Sequence, residues 1–127
     1  MEFLGKYSQQ AIALLRIVAG LLFLEHGTSK LFHFPMFEMY ASVRPTDWPE
    51  GYAGILELVL GVLIVIGLFS RVAAFIASGE MAVAYFMAHA PSSFFPLQNR
   101  GDSAVLYCFV FFTLAFIGPG SFALNKK

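Results

Sequence analysis

The chain has 127 residues, and 58% of them are hydrophobic while only 13% are charged. A soluble domain of this size buries too small a fraction of its chain to hide that much apolar surface, so the composition points to a lipid environment. Its formal net charge is zero, which leaves no basic footprint for nucleic acid, and one cysteine, Cys108, excludes an internal disulfide or a CxxC redox pair within this chain.

Met1 to Gln9 is a short polar and aromatic lead. The first predicted span covers residues 10–32 and contains LLRIVAGLLFLEHGTSK, Leu14 to Lys30, around which the rest of the chain is organised. An apolar run of this length reads as a transmembrane helix. A signal peptide is the poorer reading, because Glu25, His26 and Lys30 follow the apolar stretch with no A-x-A-like cleavage site. Arg16, Glu25, His26 and Lys30 are expensive inside lipid and are expected to face a protein interior.

Residues 31–52 hold Pro35, Pro45 and Pro49, which break long helices, among Phe32, Phe34, Phe37, Tyr40, Trp48 and Tyr52. Aromatics at this density fit a belt at headgroup level, with a short surface helix over 37–43. The loop serves either as an anchor or as a lid over a cavity between helices. The second predicted span, residues 53–68, places Gly54, Glu57 and Gly61 at i, i+3 and i+7, on one face where a second helix can approach closely. Gly67 relieves its end, and Arg71 is expected to snorkel to the interface.

The third predicted span, residues 72–88, repeats the device with Ala73, Ala77, Glu80 and Ala84. His89 closes it, and Pro91 and Pro96 force a loop that turns at Asn99 to Gly101. The fourth predicted span, residues 103–117, is uncharged and Phe-rich, and Gly118-Pro119-Gly120 stops it. The expected fold is all-α: a single domain, residues 1–127, forming an integral membrane antiparallel four-helix bundle. An even number of spans puts both termini on one side. Lys6, Arg71, Lys126 and Lys127 against Lys30, Arg44 and Arg100 tilt that side toward the cytoplasm.

Depth along the helices organises the polar residues. At a rise of 1.5 Å per residue, Arg16 lies about 9 Å in from Gln10 and Glu80 about 13 Å in from Arg71, which predicts an intramembrane ion pair. From the opposite face, Glu25 and His26 lie about 6–8 Å in from Lys30, and Glu57 about 7 Å in from Tyr52. Glu25, His26, Lys30, Glu57 and His89 are therefore the expected ligand-binding or proton-relay cluster. A registry role for Arg16–Glu80 and a hydrogen-bonded packing role for His26 are the plainer alternatives. His26, Glu57 and His89 are three metal-ligand types, but no HxxxH or ExxH spacing supports a metal site, and none is expected.

The run LLRIVAGLLFLEHGTSKLF resembles the opening helix of the DoxX family of small bacterial membrane proteins, through Leu14-Leu15-Arg16, Gly20 to Phe23, His26-Gly27 and Lys30-Leu31. Three further motifs follow in the family's order. They are the glycine-flanked Glu57 with the turn Gly67 to Arg71, the loop His89, Pro91, Phe94 to Pro96, Asn99, Gly101 and Asp102, and the stop Gly118 to Gly120. Glu25 before the histidine, and Asp102 in place of glutamate, depart from the family pattern. The resemblance implies a four-helix protein of the bacterial inner membrane. Some relatives belong to thiosulfate:quinone oxidoreductases, and others join complexes linked to oxidative or thiol stress.

The resulting expectation is a redox-associated membrane subunit holding a quinone or similar apolar ligand in a polar-lined pocket between helices. With no haem pair, flavin motif or CxxC in the sequence, electrons would come from a partner redox protein or a diffusible donor. The alternatives are a non-enzymatic binding or assembly module that recruits a partner, and a small-solute or proton transporter. Only two helical hairpins are available, so transport would need a homo-oligomer, and no inverted repeat of the transporter kind is evident.

Overall fold

A computed structural model describes residues 1–127, and the fold is all-α, with no strand. A 3₁₀ lead, Glu2–Tyr7, runs into α1, Ser8–Phe32. No proline interrupts this stretch, so the helix continues until His33 takes the left-handed conformation at φ 57°. There the amides of His33 and Phe34 return to the carbonyls of Ser29 and Thr28, and Pro35 follows. The connecting segment holds one 3₁₀ turn, Glu38–Tyr40.

Helix α2, Glu50–Ile66, runs back antiparallel to α1 in a register that glycines set. Gly20 lies against Ile64 and Val65, Leu24 against Gly61, Gly27 against Glu57 and Leu58, and Lys30 against Gly54. A Cβ at Gly27 would come within 2.6 Å of the Leu58 amide nitrogen. The two backbones can meet at this distance only without side chains there. Gly67, at φ 73°, ends α2 with the paired 5→2 and 6→1 hydrogen bonds of a Schellman turn.

Helix α3, Ser70–Ala84, continues as a π-helical turn, Tyr85–His89. After a four-residue α4, Pro96–Asn99, helix α5, Asp102–Ile117, returns antiparallel to α3. Their register is fixed at one end by Arg71 against Ala115 and Phe116, and in the middle by Ser78 Oγ donating to the Cys108 carbonyl at 2.7 Å. Ala73, Ala74 and Ala77 are buried on α3, and this small face lets Phe111 and Leu114 pack close. The α1–α2 and α3–α5 pairs meet mainly through α2 and α3, while α1 and α5 touch little. One apolar core, including Phe23, Leu60, Ile64, Met81 and Phe111, joins them.

The outside is as apolar as the inside. Leu14, Leu21, Val59, Val72, Phe75, Val83, Leu106 and Phe109 are all exposed on helix surfaces. Two helical stretches, Glu2–Phe32 and Ser70–Ser92, are long and apolar enough to cross a membrane, and Asp102–Ile117 is a shorter apolar helix.

Candidate functional site

The α1–α2 register carries Lys30 and Glu57 to the same level, where Lys30 Nζ lies 3.0 Å from Glu57 Oε2. Both side chains are buried, at 7% and 2% exposure. Glu50, in the first turn of α2, adds a second carboxylate 3.4 Å from the same ammonium but remains 42% exposed. The Tyr40 ring lies under Lys30 Nζ at 5.1 Å from its centroid, which suits a cation over an aromatic face. Burial raises the Tyr40 hydroxyl above its ordinary value, and the neighbouring ammonium only partly offsets this.

Glu80 comes to this group from α3 and lines the same cavity as Glu57. Glu57 Oε1 and both Glu80 oxygens are buried without a donor. Buried acceptors in this condition are uncommon, because each costs roughly 1–3 kcal/mol when unmatched.

The cluster lines a cavity of about 460 Å³ between the two helix pairs. His26, Lys30, Tyr40, Trp48, Glu50, Glu57, Glu80, His89 and Tyr107 line it, together with apolar groups such as Leu56, Ile76, Met81 and Val83. His26 is held by Nδ1 against the Leu22 carbonyl at 2.8 Å, with its ring edge-on to Tyr107 at 5.8 Å between centroids. If Nδ1 carries the proton of that bond, Nε2 of the neutral ring is an acceptor. His89 Nδ1 lies 3.0 Å from the Asn99 carbonyl. Asn99, 5% exposed, also donates to the Tyr85 hydroxyl and the Ser93 carbonyl and accepts from the Gly101 amide. Glu25 is exposed and lies outside this cavity. It lines a neighbouring one of about 230 Å³ with His26, Ser29, Phe37 and Tyr40, so His26 borders both.

Four of the five residues of the expected cluster, His26, Lys30, Glu57 and His89, thus share one cavity, and Glu25 does not. The expected Arg16–Glu80 ion pair is corrected. Arg16 is 1% exposed and donates to the carbonyls of Val65, Pro119, Ser121 and Phe122, at the opposite end of α2 from Lys30. Glu80 lines the cavity with Glu57 instead. Counting depth placed both residues in mid-helix but assumed that a charge needs a charge. Backbone carbonyls serve equally well where the chain doubles back, and Gly118 and Gly120, at φ 91° and 74°, permit that reversal. Arg71 does not simply reach outward either; it donates to the carbonyls of Phe116, Ala115 and Lys126, which closes the end of α5.

Tyr40, Trp48, Glu50 and Tyr107 complete the cavity and are absent from the sequence-based cluster. Trp48 and Tyr40 were legible only as belt aromatics, and nothing in the periodicity of α5 singles out Tyr107.

Comparison with known proteins agrees with the motifs. The DoxX family model matches residues 11–90. An uncharacterized protein of Haemophilus influenzae is 41% identical over 130 residues, covering 100% of this chain and 97% of the relative. No solved structure matches the chain significantly.

Proposed function

The chain belongs to the DoxX family, and from that premise we propose that it is a multi-pass protein of the bacterial inner membrane whose pocket binds a quinone-like molecule as part of a redox-associated complex. Its four long helices cross the bilayer as a four-helix bundle with both termini cytoplasmic. The exposed Leu, Val and Phe side chains of all four helices meet lipid, where they cost nothing. Water would find far more contiguous apolar surface than a soluble monomer carries.

The observation that carries this reading is the convergence of buried Lys30 and Glu57 and half-buried Glu80 on a cavity of about 460 Å³ with aromatic and aliphatic walls. A cavity of that volume, mostly apolar with a few converging polar groups, is what a drug-sized ring requires. Tyr107 and Lys30 are hydrogen-bond donors for ring oxygens, and the Glu57–Glu80 pair gives or takes a proton as the ring changes oxidation state. His26 borders both cavities and links this pair to exposed Glu25. A partner redox protein or diffusible donor supplies the electrons.

Protein purified in mild detergent should carry quinone detectable by solvent extraction and mass spectrometry, or capture a soluble benzoquinone added in excess. Glu57→Gln and His26→Ala should weaken capture. No quinone before or after addition overturns the reading. A second reading, an assembly module, rests on the exposed Phe34, Phe37, Met39 and Trp48 of the α1–α2 connection. Cross-linking in membranes that captures a stable non-redox partner through this loop would favour it.

A further inference from the structure

The cavity has walls of two kinds. Lys30 and Glu57 are buried, whereas Leu56, Ile76 and Val83 line the cavity and are also 43%, 45% and 57% exposed on the outer surface. Residues that do both mark its openings: Trp48, Tyr52, Met87 and Ser103 do so beside His89, and Leu56, Ile76 and Val83 form a separate apolar rim. Ile76, Gly79 and Val83 are spaced i, i+3 and i+7 on one face of α3, and Leu56 stands across from them on α2. This rim has no polar side chain.

Its depth is informative. Gly79 is nine residues after Ser70 and thirteen before Ser92, at the two ends of a stretch apolar enough to span a membrane. At 1.5 Å per residue that is about 13 Å from one end and about 20 Å from the other. This rim therefore lies at hydrocarbon depth, whereas the opening beside Trp48, Tyr52 and Ser103 lies at the helix ends.

Gly79 itself has no packing reason to be glycine. A Cβ there would meet nothing within 4 Å, and its φ is not in the left-handed region. Within a helix glycine costs roughly 1 kcal/mol relative to alanine. Its missing side chain leaves open space beside the Ile76–Val83 face.

We propose that the pocket takes a tailed amphiphile directly from the bilayer, head first, with its apolar tail leaving between α2 and α3 over Gly79. This rests on the ligand-binding reading above and adds the class of ligand and its route. A substituted ring fits about 460 Å³, and a long isoprenoid or alkyl chain does not. The tail must lie outside, and the Gly79 rim has no polar side chain to desolvate, unlike the opening beside Trp48, Tyr52 and Ser103. The ring then lies beside Lys30, Glu57 and Glu80, one residue from the rim along α3.

The test compares one benzoquinone ring without a tail and the same ring with a decyl tail, titrated in detergent against wild type, Gly79→Ala, Gly79→Leu and Val83→Trp. Both bulky variants should weaken the tailed ring by about ten-fold or more and leave the tail-less ring within about two-fold, since only tail contacts are lost. Melting temperatures at or above wild type for Gly79→Ala show that the position tolerates a side chain, and exposed Val83→Trp gives an independent block should Gly79→Leu fold poorly. Equal loss for both rings, or no loss for either, overturns the lateral route while the pocket stands. Failure of wild type to bind either ring overturns the pocket and this route together.

Discussion

Lys30 Nζ lies 3.0 Å from Glu57 Oε2, and the glycines beside them, Gly27 and Gly54, are what let the two helices come close enough for the contact. Removing one member of a buried ion pair leaves the other charge stranded, at a typical cost of roughly 3–5 kcal/mol. Lys30→Met should therefore lower unfolding stability in detergent by about that amount. Glu57→Gln in the same chain should restore most of it, because the stranded carboxylate is then gone. If Lys30→Met alone is as stable as wild type, the pair does not hold α1 against α2.

Glycine-to-alanine substitution should act in opposite directions at two positions. At Gly27 the new Cβ would lie 2.6 Å from the Leu58 nitrogen and 2.9 Å from the Gly54 carbonyl oxygen, and backbone atoms cannot swing aside. The helices must separate, and overpacking of this kind typically costs about 1–3 kcal/mol. At Gly79 nothing is met, so alanine should add up to about 1 kcal/mol from helix propensity alone. Paired thermal denaturation curves of the two variants decide this, and a common sign for both would refute it.

Much of the fold was written in the sequence because its signals are local. The 25-residue α1 follows from an uninterrupted apolar run, and the ends of α2 and α5 from Gly67 and Gly118. The Lys30–Glu57 meeting was also legible, since depth and the Gly54-x-x-Glu57-x-x-x-Gly61 face constrain it together. The partner of Arg16 was not. Its acceptors are carbonyls of Pro119, Ser121 and Phe122, and a carbonyl has no sequence signature. Glu80 was misassigned for the same reason, once Arg16 was assumed to need a carboxylate. Tyr40 and Trp48 reach the cavity through the α1–α2 connection, whose path depends on tertiary contacts and also sets where Glu50, at the start of α2, lies.

The loop before α5 depends on Asn99 in a way that its turn propensity does not reveal. Its side chain joins the Tyr85 hydroxyl at 2.9 Å, the Ser93 carbonyl at 3.0 Å and the Gly101 amide at 2.8 Å, while its own carbonyl holds His89. Each such bond contributes about 0.5–1.5 kcal/mol net, and the buried partners left behind add to the loss. Asn99→Ala should cost about 2–3 kcal/mol, and Tyr85→Phe, which removes one bond, about 1 kcal/mol. Amide exchange at Gly101 should rise in the first variant and hardly change in the second. Equal effects would place the loop's stability elsewhere.

Arg16 should prove to be the residue that pins the C-terminal segment. Three of its four carbonyl acceptors belong to Pro119, Ser121 and Phe122, and the segment is further tied by Ser121 N–H to the Gln9 carbonyl at 3.1 Å and by Lys126 Nζ to the Gly120 carbonyl. A lysine keeps the charge but lacks the planar fork that reaches several carbonyls at once. Arg16→Lys should leave the helices intact while residues 121–127 become readily cleaved by carboxypeptidase and the melting temperature falls. Arg16→Met should do the same, because the loss is of donors and not of charge. The cavity lies at the other end of α2, beside Lys30 and Glu57, so ring capture should change by less than about two-fold, as expected for distant sites without shared partners. A large loss of capture in Arg16→Lys, with the tail still protected, would mean that the two ends of the molecule are coupled in a way these contacts do not provide.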